Sequence, residues 1–173
     1  SRNDVSEAEY LEMIRLKTSV LLAASLKLGA LLGGALQEDA DRLYDYGVNM
    51  GLAFQLKDDL LDVYGDPKVF GKNIGGDILC NKKTYMLIQA LERASDDQRK
   101  ELERWLAADD FVPAEKIAAV KRLYDEIGIK DLCEQKIREY TRLAEESLLQ
   151  VGVAEERKHE LQALLEGLVH RES

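Results

Sequence analysis

The sequence predicts an all-α protein, a helical bundle, from three features of its composition. The chain of 173 residues contains only two prolines, and 33% of its residues are charged. Leu, Ala, Glu and Lys are abundant, and these residues have a high intrinsic preference for helix. The hydrophobic fraction of 46% is enough for a core that buries roughly 70% of the unfolded surface. Residues 1–173 are therefore expected to form a single all-helical domain.

Capping signals and glycines divide the chain into seven predicted helices. Ser6 and Glu9 form a capping box for the first helix, which runs to about Leu32 before a pair of glycines. Ser95 and Gln98 form a second capping box for the fourth helix. The predicted helices after the first cover 38–64, 83–93, 96–108, 113–128, 130–150 and 155–170. The glycine-containing segment 67–81 is predicted to be a loop.

The charge balance excludes one class of partner. The chain has 24 basic and 33 acidic residues, so its net charge is −9. Such a field repels phosphate backbones and anionic lipid, and nucleic acid is not an expected partner.

The two cysteines, Cys80 and Cys133, lie far apart and fit no metal-ligand spacing. We therefore expect reduced thiols and a cytoplasmic protein.

The most apolar stretch, 20–36, is not expected to span a membrane. Lys27 lies near its middle, and three glycines interrupt it. A charge at the centre of a spanning helix costs about 3 kcal/mol. The stretch is therefore predicted to be a buried helix.

The second predicted helix contains the strongest chemical signal, the segment GLAFQLKDDLLDVYGD from Gly51 to Asp66. At about 100° per residue, one stripe of this helix carries four polar side chains: Gln55, Asp58, Asp59 and Asp62. Apolar side chains flank the stripe on both sides, namely Leu52, Leu56, Leu60 and Val63 on one and Phe54 and Leu61 on the other. A narrow carboxylate row between apolar walls indicates acids that line an interior cavity. A solvated acidic surface helix is the alternative.

Carboxylates at this spacing repel one another and are costly to desolvate, so a cation is expected beside them. Mg²⁺ binds one or two carboxylates and leaves its other positions to water and substrate phosphate. Asp58 and Asp62, one turn apart, suit that role.

The first helix places a lysine in an apolar stripe. Tyr10, Met13, Ile14 and Leu21 form the stripe, and Lys17 falls in its middle. A buried lysine needs a partner, and the next residue, Thr18, offers a hydroxyl near the ammonium group. The alternative is that Lys17 extends to the helix rim and into solvent.

The predicted loop after the acidic helix contains glycines together with four lysines, Lys68, Lys72, Lys82 and Lys83. Lysines on a flexible backbone can approach an anionic ligand, although an ordinary surface loop has the same composition. The loop lacks the nucleotide P-loop pattern. An acidic helix followed by a lysine loop, and preceded by a lysine in an apolar face, indicates a diphosphate site.

These segments resemble the trans-type polyprenyl synthases, the family of farnesyl and geranylgeranyl diphosphate synthases. FQLKDDLLDVYGD is similar to the family's second aspartate-rich motif, and GKNIGGDILCNKKTY to the segment that follows it. EYLEMIRLKTSVLLAASLKLGALLGG resembles the helix with the family's Lys-Thr pair. Together the matching segments cover about Glu9 to Leu91.

The resemblance implies a prenyltransferase with the class I isoprenoid-synthase fold, which condenses an allylic prenyl diphosphate with isopentenyl diphosphate. It implies Mg²⁺ as cofactor, with Asp58 and Asp62 as ligands and Asp59 in support. It also implies that three lysines, Lys17, Lys72 and Lys82, hold the allylic diphosphate. Thr18 and Gln55 are expected near the bond that forms and the proton that leaves.

One departure from the family pattern is large. The family has two aspartate-rich motifs, and this chain contains no other D-D-x-x-D. The chain therefore resembles the C-terminal half of a synthase, and its start without Met suggests a piece of a longer protein. We expect it to be catalytically inert alone. We also expect a homo-oligomer, because the missing half would leave Tyr10, Ile14, Leu56 and Leu60 uncovered.

Two other readings use the same residues. A terpene cyclase shares the fold, but its usual second metal motif, N-D-x-x-S-x-x-x-E, is not found here. The chain could instead be a non-catalytic scaffold or a regulatory subunit of a prenyl synthase. Magnesium-dependent diphosphate binding distinguishes a working half-site from a scaffold.

Overall fold

The structure, a computed structural model, describes residues 5–70 and 74–169, and within these ranges it contains helices and no strand. The all-α prediction is confirmed. The helices are α1 (Glu7–Ile14), a π-helical turn (Arg15–Ser19), α2 (Val20–Leu32), α3 (Gln37–Tyr64), α4 (Pro67–Phe70), α5 (Gly76–Leu79), α6 (Tyr85–Arg93), α7 (Asp96–Ala107), α8 (Pro113–Ile127), α9 (Ile129–Leu149) and α10 (Glu155–Val169).

Capping explains why the helix starts were predictable. Ser6 Oγ accepts a hydrogen bond from Glu9 N at 3.3 Å, and Glu9 Oε2 accepts one from Ser6 N at 3.0 Å. Ser95 and Gln98 form the same reciprocal box before α7. Both predicted capping boxes are confirmed. Each satisfies backbone donors that a helix N-terminus leaves without an intrahelical partner.

Two local predictions were wrong. The segment 67–81 is not only loop, because the short helices α4 and α5 lie within it. The first predicted helix is not uniformly α-helical, because Arg15–Ser19 forms a π-helical turn between α1 and α2. Such turns insert an extra residue into the helical ladder, and hydrophobic periodicity does not reveal them.

The chain divides into two compact units. The first comprises 5–10 and Asp58–Glu134, apart from the gap at 71–73, and the second comprises Leu11–Lys57 and 135–169. Helix α3 runs without a break through the boundary at Lys57. The expectation of a single domain stays a prediction.

The core of the first unit is built around α6. Six consecutive residues of this helix are buried, from Tyr85 to Ala90. Thr84 begins the helix by accepting a hydrogen bond from Leu87 N at 3.2 Å. Leu102 of α7 and Leu123 of α8 are fully buried in the same unit. The segment between α3 and α6 is therefore anchored to a rigid element at its C-terminal end.

The second unit relies on close helix approach. A Cβ atom at Gly47 of α3 would lie 2.7 Å from Ala23 Cα, and one at Gly51 would lie 2.6 Å from Ser19 Oγ. These distances are shorter than carbon or oxygen contacts tolerate, so glycine is required for α3 to lie this close. Tyr46 of α3 donates a hydrogen bond to the Leu161 carbonyl of α10 at 2.7 Å.

Helix α2 is the main departure from the predicted burial. Ala23 is fully buried, but Leu21, Leu28 and Leu32 are 73%, 59% and 81% exposed. The prediction that 20–36 forms a buried helix is therefore wrong for most of its leucines. No helix among 5–70 and 74–169 is long and apolar enough to cross a membrane.

The expected uncovered face was also assigned to the wrong residues. Tyr10, Ile14, Leu56 and Leu60 are all buried. The exposed apolar side chains of this part of the chain are instead Met13, Leu16, Leu21, Leu28, Leu31, Leu32 and Leu36. Periodicity identified apolar stripes, but it did not show which stripe the chain covers by its own folding.

Candidate functional site

The three aspartates of α3 lie in three different environments. Asp59 is 2% exposed, Asp62 is half-buried and Asp58 is exposed. Consecutive helical residues point about 100° apart, so Asp58 and Asp59 cannot face the same surface. Phe54, one turn before Asp58, is exposed as well. The expectation that all three carboxylates turn inward is therefore wrong for Asp58.

Asp59 is a buried carboxylate with a donor on each oxygen. The Tyr10 hydroxyl donates to Asp59 Oδ2, and Lys82 Nζ lies 2.8 Å from Asp59 Oδ1. A buried charge is tolerated only when it is paired and hydrogen-bonded, and both conditions hold here. Burial, followed by the Asp59 charge, raises the pKa of Tyr10, so the hydroxyl stays protonated and remains a donor.

Lys82 is held between two carboxylates. Its Nζ lies 2.8 Å from Asp59 Oδ1 and 3.1 Å from Asp77 Oδ2. Burial alone would lower the pKa of Lys82, but the two carboxylates outweigh it and raise that pKa above its ordinary value. The side chain is 40% exposed, and the two carboxylates fix its ammonium group. This arrangement suits a second anion that approaches from solvent.

The pKa of Asp77 is subject to opposing effects. Burial raises its pKa, Lys82 opposes that shift, and the neighbouring Asp62 and Asp59 charges add to it. Two of these acids pair with Lys82, and the third, Asp62, lies near enough to raise the pKa of Asp77, so the local charge balance of this cluster is negative. A further cation would offset that balance.

Asp62 connects the acidic helix to the segment that follows. Its carbonyl oxygen accepts a hydrogen bond from Gly75 N at 2.6 Å, and its Oδ2 accepts one from Asp77 N at 2.9 Å. These two bonds fasten the start of α5 to the end of α3. The segment that contains Asp77 and Lys82 is thus held beside the acids of α3 by backbone donors as well as by the Lys82 ion pairs.

The remaining predicted site residues belong to the second unit or lie outside the described residues. Lys17 is exposed in the π-helical turn, which agrees with an ammonium group that extends into solvent and not with a buried lysine. Thr18 and Gln55 are half-buried, and Thr18 lines a cavity of about 690 Å³ in the second unit. Lys72 lies outside the described residues.

A comparison with known families identifies the chain. The sequence model of the polyprenyl synthetase family matches residues 1–127. The chain belongs to this family. The resemblance drawn from its motifs is confirmed.

Relatives of this polyprenyl synthetase chain are about twice its length. A short chain isoprenyl diphosphate synthase of Methanothermobacter thermautotrophicus is 40% identical over 147 residues, which are 85% of this chain and 44% of the relative. A crystal structure of a geranylgeranyl pyrophosphate synthase has a TM-score of 0.91 at 40% identity, and the match covers 100% of this chain and 54% of that chain. The polyprenyl synthetase chain thus spans about half the length of the relatives it matches.

One further solved structure is informative for its ligands. It is a geranylgeranyl pyrophosphate synthase from Corynebacterium glutamicum complexed with isoprenyl diphosphate and magnesium. Its TM-score is 0.84 at 32% identity, and the match covers 95% of this chain and 46% of that chain. The all-α fold of these structures is the fold of the present chain.

The acidic side chains of the polyprenyl synthetase segment fit Mg²⁺ only as an incomplete ligand set. Within the described ranges, no three His, Cys, Asp or Glu side chains are grouped so that they could hold a metal ion. Asp58 and Asp62 are one turn apart on α3, and two carboxylates suffice for an ion that keeps water and phosphate ligands. The donors therefore fit a magnesium ion that a diphosphate completes, and they do not fit a protein-only cage.

The motif analysis missed two members of the cluster, Tyr10 and Asp77. Tyr10 was assigned to an apolar stripe, although a buried tyrosine hydroxyl needs a hydrogen-bond partner and could have suggested a polar contact. Asp77 follows a glycine pair in the lysine-rich segment. Nothing in its local sequence indicates that it pairs with Lys82.

Proposed function

We propose that this chain is part of a prenyltransferase that condenses an allylic prenyl diphosphate with isopentenyl diphosphate, and that it supplies the allylic diphosphate site. The observation that carries the proposal is the cluster of Asp59, Asp62, Asp77 and Lys82. It combines a lysine side chain that is 40% exposed with carboxylates in excess. An anion paired with a divalent cation satisfies both features at once.

Each member of the cluster has a distinct role in this proposal. Lys82 binds a diphosphate oxygen through its accessible side. Asp59 holds the ammonium group of Lys82 through its Oδ1, and Tyr10 holds Asp59 by donating to its Oδ2. Neither Asp59 nor Tyr10 touches the ligand. The resemblance extends the role of Lys82 to Lys17 and Lys72.

Asp58 and Asp62 are the proposed magnesium ligands. Mg²⁺, when bound, neutralises the charge that develops on the leaving diphosphate. A solved relative complexed with isoprenyl diphosphate and magnesium supports this choice of cofactor. Exposure of Asp58 leaves its carboxylate accessible to an ion that arrives with the ligand.

The proposed reaction breaks the allylic C–O bond, forms a C–C bond to isopentenyl diphosphate and releases one proton. Lys82 stabilises the negative charge that the leaving diphosphate gains. Its raised pKa keeps it charged through the neutral range. Thr18 and Gln55 are proposed, from the resemblance, to lie near the new bond, and the released diphosphate is proposed to accept the proton.

The chain by itself is proposed to bind diphosphate without turnover. Its sequence contains one D-D-x-x-D, at Asp58–Asp62, whereas the family pattern has two. With allylic diphosphate, isopentenyl diphosphate and Mg²⁺, we expect no prenyl product. Product formed by the purified chain would contradict this inertness.

Isothermal titration with inorganic diphosphate tests the proposed site. We expect binding that requires Mg²⁺ and that weakens at least tenfold in Lys82→Met, since a charge-assisted hydrogen bond is lost. Lys100→Met on α7 is the matched control, because it removes the same charge from an exposed position in the same unit. Equal loss in both variants would indicate general charge attraction and not a site. Absence of binding by the unsubstituted chain would favour a scaffold or regulatory subunit.

A further inference from the structure

The first turn of α8 contacts both ends of the segment that carries Asp77 and Lys82. We call residues 75–82 the α5 segment. Lys116 contacts Asn81 near its end, and Ile117 contacts Gly75 at its start. Two adjacent residues of one helix therefore hold both ends of a segment whose middle contains α5. The resemblance to the family assigned no role to this helix.

Asn81 is held at both ends of its side-chain amide. Its Oδ1 accepts a hydrogen bond from Lys116 Nζ at 2.7 Å, and its Nδ2 donates to the Leu106 carbonyl of α7 at 3.0 Å. Its backbone has φ 53°, the left-handed conformation, which few residues other than Gly, Asn and Asp adopt readily. The next residue is Lys82. The direction in which the chain leaves Asn81 therefore determines where the Lys82 side chain starts.

Burying Lys116 at this position of α8 costs free energy. It is fully buried, and its ammonium group lies 4.3 Å from the centre of the Phe111 ring. It also lies in the first turn of α8, where the helix dipole disfavours a cation. The hydrogen-bond acceptor that the structure gives it is an amide oxygen and not a carboxylate. Burial lowers the pKa of Lys116.

Gly75 gives the second attachment. It has φ 89°, and a Cβ atom on it would lie 2.6 Å from Ile117 Cδ1. Its backbone N donates to the Asp62 carbonyl at 2.6 Å. The start of the α5 segment is thus enclosed between the end of α3 and the side chain of Ile117.

We propose that Lys116, acting through Asn81 and assisted by Ile117, is a positioning residue that holds the α5 segment so that Lys82 presents its ammonium group to diphosphate. The inference rests on the proposed function for the ligand, but the attachment itself stands on the contacts of α8. Lys116 does not touch the ligand. Its effect passes through Asn81 to the residue that does.

The test compares Lys116→Met with two controls in the full chain. We expect Lys116→Met to weaken binding of inorganic diphosphate with Mg²⁺ about tenfold, since a charge-assisted hydrogen bond is lost. We also expect faster amide hydrogen exchange at Asn81, Lys82 and Thr84. Lys100→Met controls for charge, and Leu123→Ala controls for lost stability in α8. Neither control should change diphosphate affinity by more than about twofold.

Variants of Asn81 identify the hydrogen bond. Asn81→Gly keeps the left-handed backbone and removes the acceptor, so it should weaken diphosphate binding as Lys116→Met does. The double variant should bind no more weakly than Asn81→Gly alone, because Asn81→Gly already removes the contact that Lys116→Met breaks. Asn81→Asp keeps an acceptor for Lys116 and removes only the donor to the Leu106 carbonyl, so it should retain affinity within about twofold if the Lys116 bond is the one that positions the segment. These variants also decide the case if Lys116→Met fails to fold.

Each outcome separates the two proposals. If Lys116→Met and Asn81→Gly bind diphosphate as well as the unsubstituted chain, Lys116 is not a positioning residue. Additive losses in the double variant would also overturn the coupling. If the unsubstituted chain binds no diphosphate, the proposed function fails. Unchanged exchange at residues 81–84 in Lys116→Met would then overturn the attachment as well, whereas faster exchange would uphold it.

Discussion

The two units of the chain differ in the apolar surface that they expose, although both bury charge. The first unit buries Asp59 and Lys116, the second buries Asp39 and Lys158, and each has a specific partner. The second leaves apolar surface uncovered, most of all on α2, where Leu32 is 81% exposed. A buried charge without partners is costly, and so is a large apolar patch in water. The comparison teaches that both units pair their buried charges, whereas the second leaves a row of α2 leucines exposed to water.

The largest effect is expected where the second unit is uncovered. Leu21, Leu28 and Leu32 lie along one face of α2 and should mediate self-association. Replacing all three with Gln should raise the dissociation constant by about a thousandfold, because each buried leucine contributes about 1.5 kcal/mol or more. Sedimentation equilibrium over a range of concentrations measures this change.

Glu145→Gln on α9 is the control for that experiment, since it alters an exposed residue of the same unit without changing α2. It should leave the association unchanged. A monodisperse monomer of the unsubstituted chain at high concentration would show that the exposed α2 leucines do not drive association.

The next largest effect concerns the charge that the first unit buries. Asp59→Ala should lower the free energy of unfolding by about 3 kcal/mol, because it leaves Lys82 and Tyr10 without their shared acceptor. That value is at the low end of buried pairs, since Lys82 is partly exposed and solvent can replace some of the contact. Urea unfolding measures it.

The neighbouring acid provides the matched control for Asp59. Asp58→Ala changes the same side chain at an exposed position and should alter stability by no more than about 0.5 kcal/mol. Equal losses in the two variants would mean that burial of Asp59 carries no particular weight in the first unit.

A smaller effect tests the close helix approach in the second unit. Gly47→Ala places a Cβ atom 2.7 Å from Ala23 Cα and should destabilise the chain by about 2 kcal/mol, despite the better helix propensity of alanine. Gly29→Ala on α2 meets nothing within 4 Å and should instead stabilise by up to about 1 kcal/mol. The midpoint temperature of thermal unfolding should therefore fall in Gly47→Ala and rise in Gly29→Ala. A change in the same direction in both variants would contradict the packing described for Gly47.

The smallest effect is pH-dependent. Tyr46→Phe removes the hydrogen bond to the Leu161 carbonyl and should cost about 1 kcal/mol at pH 7. Burial raises the pKa of Tyr46 to about 12, so the neutral side chain contributes stability that is full below its ordinary pKa near 10 and is lost as pH rises through 12. The difference in free energy of unfolding between the unsubstituted chain and Tyr46→Phe should narrow as pH rises from about 10 to 12. A gap in unfolding free energy that stays constant from pH 7 to 12 would contradict the raised pKa.

Local signals predicted the helices well because they act within a few residues. The capping boxes at Ser6 and Ser95 and the glycine at Gly128, with φ 80°, determine where helices begin and end. The same signals missed α5, whose four residues follow a glycine with φ 89°. They also missed the π-helical turn at Lys17, since neither depends on a periodic pattern.

The candidate site was predicted in part. The acid motif and Lys82 were identified from residue type and spacing, and the structure places Lys82 against Asp59. The sequence left Lys17 either buried beside a partner or extended into solvent, and the structure shows it exposed. Tyr10, Asp77 and Lys116 were not assigned to the site. Their partners lie between 5 and 49 residues away along the chain, and no local pattern encodes those pairings.

By itself, the sequence determined the helical class, the boundaries of the longer helices after the first, the polyprenyl synthetase family and the residue types suited to diphosphate and magnesium. Only the tertiary structure decided that Asp59 turns inward and Asp58 outward, that Lys82 lies between two acids, and that the α2 leucines remain exposed. The physical reason is that helical periodicity specifies which side chains share a face. Which segment packs on that face depends on residues distant in sequence. The burial of each side chain, its hydrogen-bond and ion-pair partners and its pKa follow from that packing.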